Sequence, residues 1–146
     1  MDNIMKISCS PMAFFAWVLI ASTVTSTGHS APLSELEFKD PGLKACIQAW
    51  ALEDFNQYQN VEDVKELGCS HYEIKSLEGI EVFEELLAID LSHNPIEDYA
   101  PLHALGRNLS FVWLWDNSIR CEDLKVMRKK LPRAWIGGAN FDTCLD

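Results

Sequence analysis

Basic charge, long apolar runs and catalytic signatures are all scarce in this 146-residue chain, and each scarcity removes a class of function. Twelve Lys and Arg stand against 22 Asp and Glu, a formal net charge of -10. A field of that sign repels phosphate backbones and anionic headgroups, so neither nucleic acid nor an anionic membrane surface is expected as a partner. The basic residues that do occur gather at Lys125, Arg128, Lys129, Lys130 and Arg133, the spacing of a solvated helix face. The apolar run Met12–Ala21 has ten residues, against the ~20 that a helix needs to cross a bilayer, so no stable membrane anchor is expected. There is no G-x-S-x-G, no phosphate-cradling glycine loop and no H-E-x-x-H. Glu84 with Glu85, and Glu122 with Asp123, read as solvated carboxylates and not as acid–base pairs. The chain is therefore expected to be neither an enzyme nor a holder of a cofactor. C-x-x-C spacing is also missing, which argues against a zinc site.

Lys6, the apolar run and the small polar residues Ser22 to Gly28 together read as a secretory signal over residues 1–30. Gly28 and Ser30 supply the small side chains that a signal peptidase requires, and Pro32 disfavours a cut after Ala31. The remaining chain keeps Cys46, Cys69, Cys121 and Cys144, an even number suited to two bridges in an oxidising compartment. Their count alone leaves the pairing open. A secreted or periplasmic location is the expectation.

Self-similarity along the chain is the most informative feature. From Val64, apolar residues fall at Val64, Leu67, Cys69, Ile74, Leu77, Ile80 and Phe83. The ladder recurs as Leu86, Ile89, Leu91, Ile96, Tyr99, Leu102 and Leu105, with Asn94 at its ninth position. A third unit opens with Leu109, Val112, Leu114, Asn117 and Ile119. A partial fourth begins at Leu131 with Ala134, Ile136 and Phe141. The starting residues 64, 86, 109 and 131 are 22, 23 and 22 apart.

L-x-x-I-x-L-x-x-N-x-I in the second unit and L-x-x-V-x-L-x-x-N-x-I in the third resemble bacterial leucine-rich repeats of the internalin-like, roughly 22-residue class. The first unit departs from that pattern with Cys69 and Tyr72, and the fourth with Ala139. The resemblance implies an α/β solenoid: a short leucine-rich-repeat horseshoe with a parallel concave sheet, an N-terminal capping helix and a C-terminal cap. It implies an asparagine ladder at Asn94 and Asn117. With the signal set apart at 1–30, it divides the rest of the chain into an N-terminal capping segment with a helix (31–63) and repeats with a C-terminal cap (64–146).

Asp40-Pro41 followed by Leu43, Cys46, Ile47 and Trp50 reads as a capped helix with one apolar face. That face, laid on the first repeat, brings Cys46 to Cys69. Cys121 and Cys144 occupy matching places after the third and fourth strands. Adjacent turns lie near the ~4.8 Å strand spacing, within disulfide reach, so Cys46–Cys69 and Cys121–Cys144 are the expected bridges.

Alternation with core residues names the solvent-facing columns of the sheet. They are Glu66, Ala88, Phe111, Arg133; then Gly68, Asp90, Trp113, Trp135; then Ser70, Ser92, Trp115, Gly137; then His71, His93, Asp116, Gly138. Phe111, Trp113, Trp115 and Trp135 thus share one face, and exposed aromatics of this kind mark contact sites. A protein partner is the expected ligand, with Asp90 and Asp116 setting charge preference and carbohydrate the second choice. Self-association as a structural envelope protein is the main alternative. His71, His93 and Asp116 carry metal-ligand chemistry, but a surface column assembles such residues by chance, and no metal is expected.

Overall fold

The structure, a computed structural model, describes residues 32–52, 59–138 and 144. The expected signal at 1–30 and Phe141 of the fourth repeat lie outside those residues.

Four three-residue strands form the sheet: β1 (Glu66–Gly68), β2 (Ala88–Asp90), β3 (Phe111–Trp113) and β4 (Trp135–Gly137). They lie in sequence order and every pairing is parallel. The middle residue of each strand, Leu67, Ile89, Val112 and Ile136, is buried. Its neighbours face the other way, as the two-residue period of a strand requires. After each of the first three strands the chain turns and returns behind the sheet. The first two returns are short 3-10 helices, Ile80–Val82 and Ala100–Leu105. The third is the α-helix α2, Cys121–Lys130. The apolar ladders of the first three units are buried throughout, from Val64 to Leu114, so each unit completes its core against its neighbours.

The basic cluster has a local explanation in α2. Glu122 and Asp123 lie in its first turn and Arg128, Lys129 and Lys130 in its last, the arrangement that complements the helix dipole.

The fourth unit departs from the register expected from sequence. Trp113 pairs with Gly137, a step of 24 residues (137 − 113), whereas the earlier steps are 22 (68 to 90) and 23 (90 to 113). Trp135 therefore stands opposite Phe111, not beside Trp113, and Gly137 opposite Trp113, not beside Trp115. Arg133 falls in the exposed turn before β4 and leaves the sheet face, and Gly138 follows the strand. The longer step contains the third return, where the ten-residue α2 stands in place of the three- and six-residue 3-10 helices of the first two. A two-residue shift preserves the alternation of faces and left no mark in the apolar pattern.

Helix α1 (Pro41–Leu52) packs across the first unit. A Cβ at Gly42 would overlap the carbonyl oxygen of Tyr72, so only glycine permits this approach. Cys46 and Cys69 are disulfide-bonded with Cα atoms 5.5 Å apart, and Cys121 and Cys144 with Cα atoms 5.1 Å apart. Asp40 does more than cap the helix. One carboxylate oxygen accepts the Leu43 N–H at 2.8 Å, and the other accepts the N–H groups of Lys75 and Ser76, each at 3.0 Å.

Burial pushes the Asp40 carboxyl up. Hydrogen bonds from the backbone of Leu43, Lys75, Ser76 and Gly42 outweigh that effect and hold its pKa below the ordinary aspartate value. A depressed carboxylate stabilises the fold above its unfolded pKa of ~3.9 and loses that contribution as pH falls through the folded value. Asp40→Asn is accordingly expected to cost roughly 1–2 kcal/mol at pH 7, with the gap to wild type closing as pH drops below about 4. Urea unfolding of both proteins at pH 7 and pH 3 checks this, and an unchanged gap would contradict it.

The turns after the strands are held by two asparagines. Asn94 Oδ1 accepts the N–H groups of Tyr72 (3.1 Å) and Ile74 (3.0 Å) from the preceding unit. Its Nδ2 donates to the carbonyls of Cys69 (2.7 Å), Leu91 (2.8 Å) and Ser92 (3.1 Å). Asn117 repeats the relation one unit later, accepting the Asn94 N–H at 3.0 Å and donating to the Leu91 carbonyl at 3.1 Å. Both side chains are buried.

Candidate functional site

The sheet face opposite the core carries Glu66 and Gly68 from β1, Ala88 and Asp90 from β2, Phe111 and Trp113 from β3, and Trp135 from β4. Phe111, Trp115 and Trp135 are 47%, 46% and 52% exposed, values at odds with the burial such side chains favour. Phe111, Trp113 and Trp135 are held in order by one another. Phe111 and Trp113 stack at 5.8 Å, and Trp113 meets Trp135 edge to face at 6.2 Å, both within the range of favourable ring pairs. Trp115 sits just past β3. Its N–H donates to Ser92 Oγ at 3.2 Å, and its carbonyl accepts the His93 N–H at 2.7 Å. Phe111, Trp113 and Trp135 therefore lie together on the sheet, with Trp135 at the Phe111 level, and Trp115 follows the end of β3.

One contributor was missed from sequence. Helical spacing puts Trp50, on α1, on the face that packs on the first repeat. It is half-buried against the core, yet its indole Nε1–H donates to the Gly68 carbonyl at 3.0 Å and its ring overlies that residue. The signal was Gly68 itself, since a glycine inside a strand often marks close approach by another group. With Trp50 as one wall and Phe111 and Trp113 as the other, a groove of about 430 Å³ opens over Glu66, Gly68, Ala88 and Asp90.

The two acidic residues named from sequence are separated. Asp90 lies in the groove, where one oxygen accepts the Ser92 N–H at 2.9 Å. Asp116 lies in the turn beyond the sheet, and its Oδ2 is 3.1 Å from His93 Nδ1. His71, His93 and Asp116 all have left-handed backbone, with φ of 64°, 58° and 54°. The imidazoles of His71 and His93 stack at 4.1 Å with planes 10° apart. An imidazole lone pair lies in its ring plane, so two stacked, nearly parallel rings do not aim at one ion. Among the described residues no group of three or more His, Cys, Asp or Glu is arranged to hold a metal.

No protein-family model and no curated protein matches the sequence. Among solved structures, an internalin from Listeria monocytogenes is similar in fold, with a TM-score of 0.57 and 23% sequence identity. The match covers 77% of this chain and 33% of the internalin, so the chain spans about a third of its length. At that identity the likeness speaks to architecture alone: this chain has a leucine-rich-repeat-like fold, a parallel four-stranded sheet backed by helices.

Proposed function

We propose that the chain is a secreted or periplasmic binding module that recognises a protein partner through Phe111, Trp113, Trp115 and Trp135, with Asp90 and Asp116 setting charge preference. The observation that carries this reading is the set of three half-exposed aromatics on, or just past the end of, strands whose opposite face is core. Aromatic anchors of this kind lose little side-chain entropy on binding and dominate interface energetics. A leucine-rich-repeat-like fold suits a protein-interaction role, and no chemistry is required of it.

In this reading the sheet is the concave side of a short horseshoe. Residues 31–63 cap one end through α1, and repeats with a second cap fill residues 64–146. Residues 1–30 are removed on export, which gives the cysteines the oxidising compartment they need. Among the described residues no helix is long and apolar enough to cross a membrane.

The test is affinity capture from the native extracellular fraction with wild type and with Trp113→Ala/Trp115→Ala. Each hot-spot tryptophan contributes about 2 kcal/mol, so the double variant should bind the recovered partner at least 30-fold more weakly while its urea midpoint stays near wild type. Equal recovery by both proteins would overturn the reading. Loss of a dimer in the double variant, with no partner captured by wild type, would replace it with self-association.

A further inference from the structure

We infer that the groove between Trp50 and the Phe111–Trp113 pair takes an arginine side chain of the protein partner; this rests on reading the sheet face as the binding surface. Three observations converge. The walls are aromatic, Trp50 on one side and Phe111 and Trp113 on the other. The floor is Gly68 and Ala88, the smallest side chains available, so among the described residues no side chain rises from the floor between the walls. The polar lining is acidic: Glu66 and Asp90 border the groove, no Lys or Arg lines it, and among the described residues neither carboxylate is in an ion pair.

That combination fits a planar cation. Aromatic faces attract a guanidinium through their quadrupoles, and tryptophan does so best. Trp50 overlies Gly68 of β1, and Phe111 and Trp113 rise from β3 two strand spacings away, ~9.6 Å, which leaves room for one flat group between them. A guanidinium stacks and also donates in a fork to carboxylates. The lysine ammonium does not stack and holds its hydration more tightly. A neutral sugar would use the aromatic walls and gain nothing from two charged carboxylates. The groove also exceeds the size of one side chain, as it must if the peptide carrying the arginine is to enter with it.

Nitrogen-15 NMR of the chain without its signal, titrated with a blocked arginine flanked by glycines, tests the assignment. The peptide should shift the Trp50 indole N–H and the Gly68 and Asp90 amides, saturating in the millimolar range. The same peptide with citrulline, the neutral isostere, should bind at least tenfold more weakly, and Glu66→Gln/Asp90→Asn should weaken the arginine peptide by a similar factor. Asp90→Asn keeps the oxygen that accepts the Ser92 N–H, and the variant's spectrum reports directly whether the fold is retained. Equal affinity for arginine and citrulline, shifts confined to Trp115 and Trp135, or no saturable shift would each overturn the inference. A captured partner that depends on Trp113 and Trp115 but is indifferent to Glu66→Gln/Asp90→Asn would remove the arginine groove and leave the wider binding reading standing. Arginine-selective binding without a face-dependent partner would do the reverse.

Discussion

Asn94→Ala is expected to lower the free energy of unfolding by about 4 kcal/mol, a large part of the roughly 5–15 kcal/mol that holds a domain folded. The side chain is 2% exposed and bonds five backbone groups. Two of the five have other partners: the Leu91 carbonyl keeps Asn117, and the Ser92 carbonyl keeps the His71 N–H. Among the described residues the N–H groups of Tyr72 and Ile74 and the carbonyl of Cys69 have no second hydrogen-bond partner, and alanine strands all three. Leaving a buried polar group unpaired costs about 1–3 kcal/mol. Asn117→Ala strands chiefly the Asn94 N–H, because Asn94 itself still serves Leu91. Its expected cost is about 1–2 kcal/mol by the same reasoning. Urea unfolding of both variants decides the matter, and equal losses would show that the two side chains are not ranked by the groups they leave unpaired.

Removing the Cys46–Cys69 bridge as Cys46→Ala/Cys69→Ala is expected to cost about 3 kcal/mol, the usual effect of a crosslink closing a loop of this length. The two cysteines are 23 residues apart in sequence, and both are fully buried. A reductant should therefore act on the native protein only as fast as the α1 end opens. The bridge also ties down the helix that carries Trp50, so the double variant should broaden or shift the Trp50 indole N–H signal while leaving Trp135 unchanged. A loss below about 1 kcal/mol would mean that packing and the Asp40 contacts hold α1 unaided.

Much of this was legible in the chain itself. The apolar ladders from Val64 to Leu114 could be placed because each unit repeats both a strand period and a turn residue, two independent markers of register. After Asn117 the second marker ends, and period-two alternation alone cannot separate a step of 22 from one of 24. Alternation alone therefore puts Trp135 one level too far along, beside Trp113 instead of Phe111. The repeat spacing puts His71, His93 and Asp116 at one position of the unit, but it carries no sign of their left-handed backbone or of the stacking of the two rings, which depend on how neighbouring turns superimpose. Trp50 was hidden for a different reason. Helical periodicity says which side of α1 meets the repeats, not that a long side chain at its C-terminal end reaches round onto the sheet face. Asp40 was read as a cap, and its reach to Lys75 and Ser76 is a tertiary contact with no local signature.

The direction of the asparagine bonds has a consequence in time. Asn94 finishes the turn of the unit before it, and Asn117 does the same for the unit of Asn94. As a chain emerges from its N-terminus, the turns of the first and second units therefore lack these bonds until the unit after each has followed it out. A chain interrupted before Asn94 leaves the Tyr72 and Ile74 N–H groups without that acceptor, and one interrupted before Asn117 leaves the Asn94 N–H without its own.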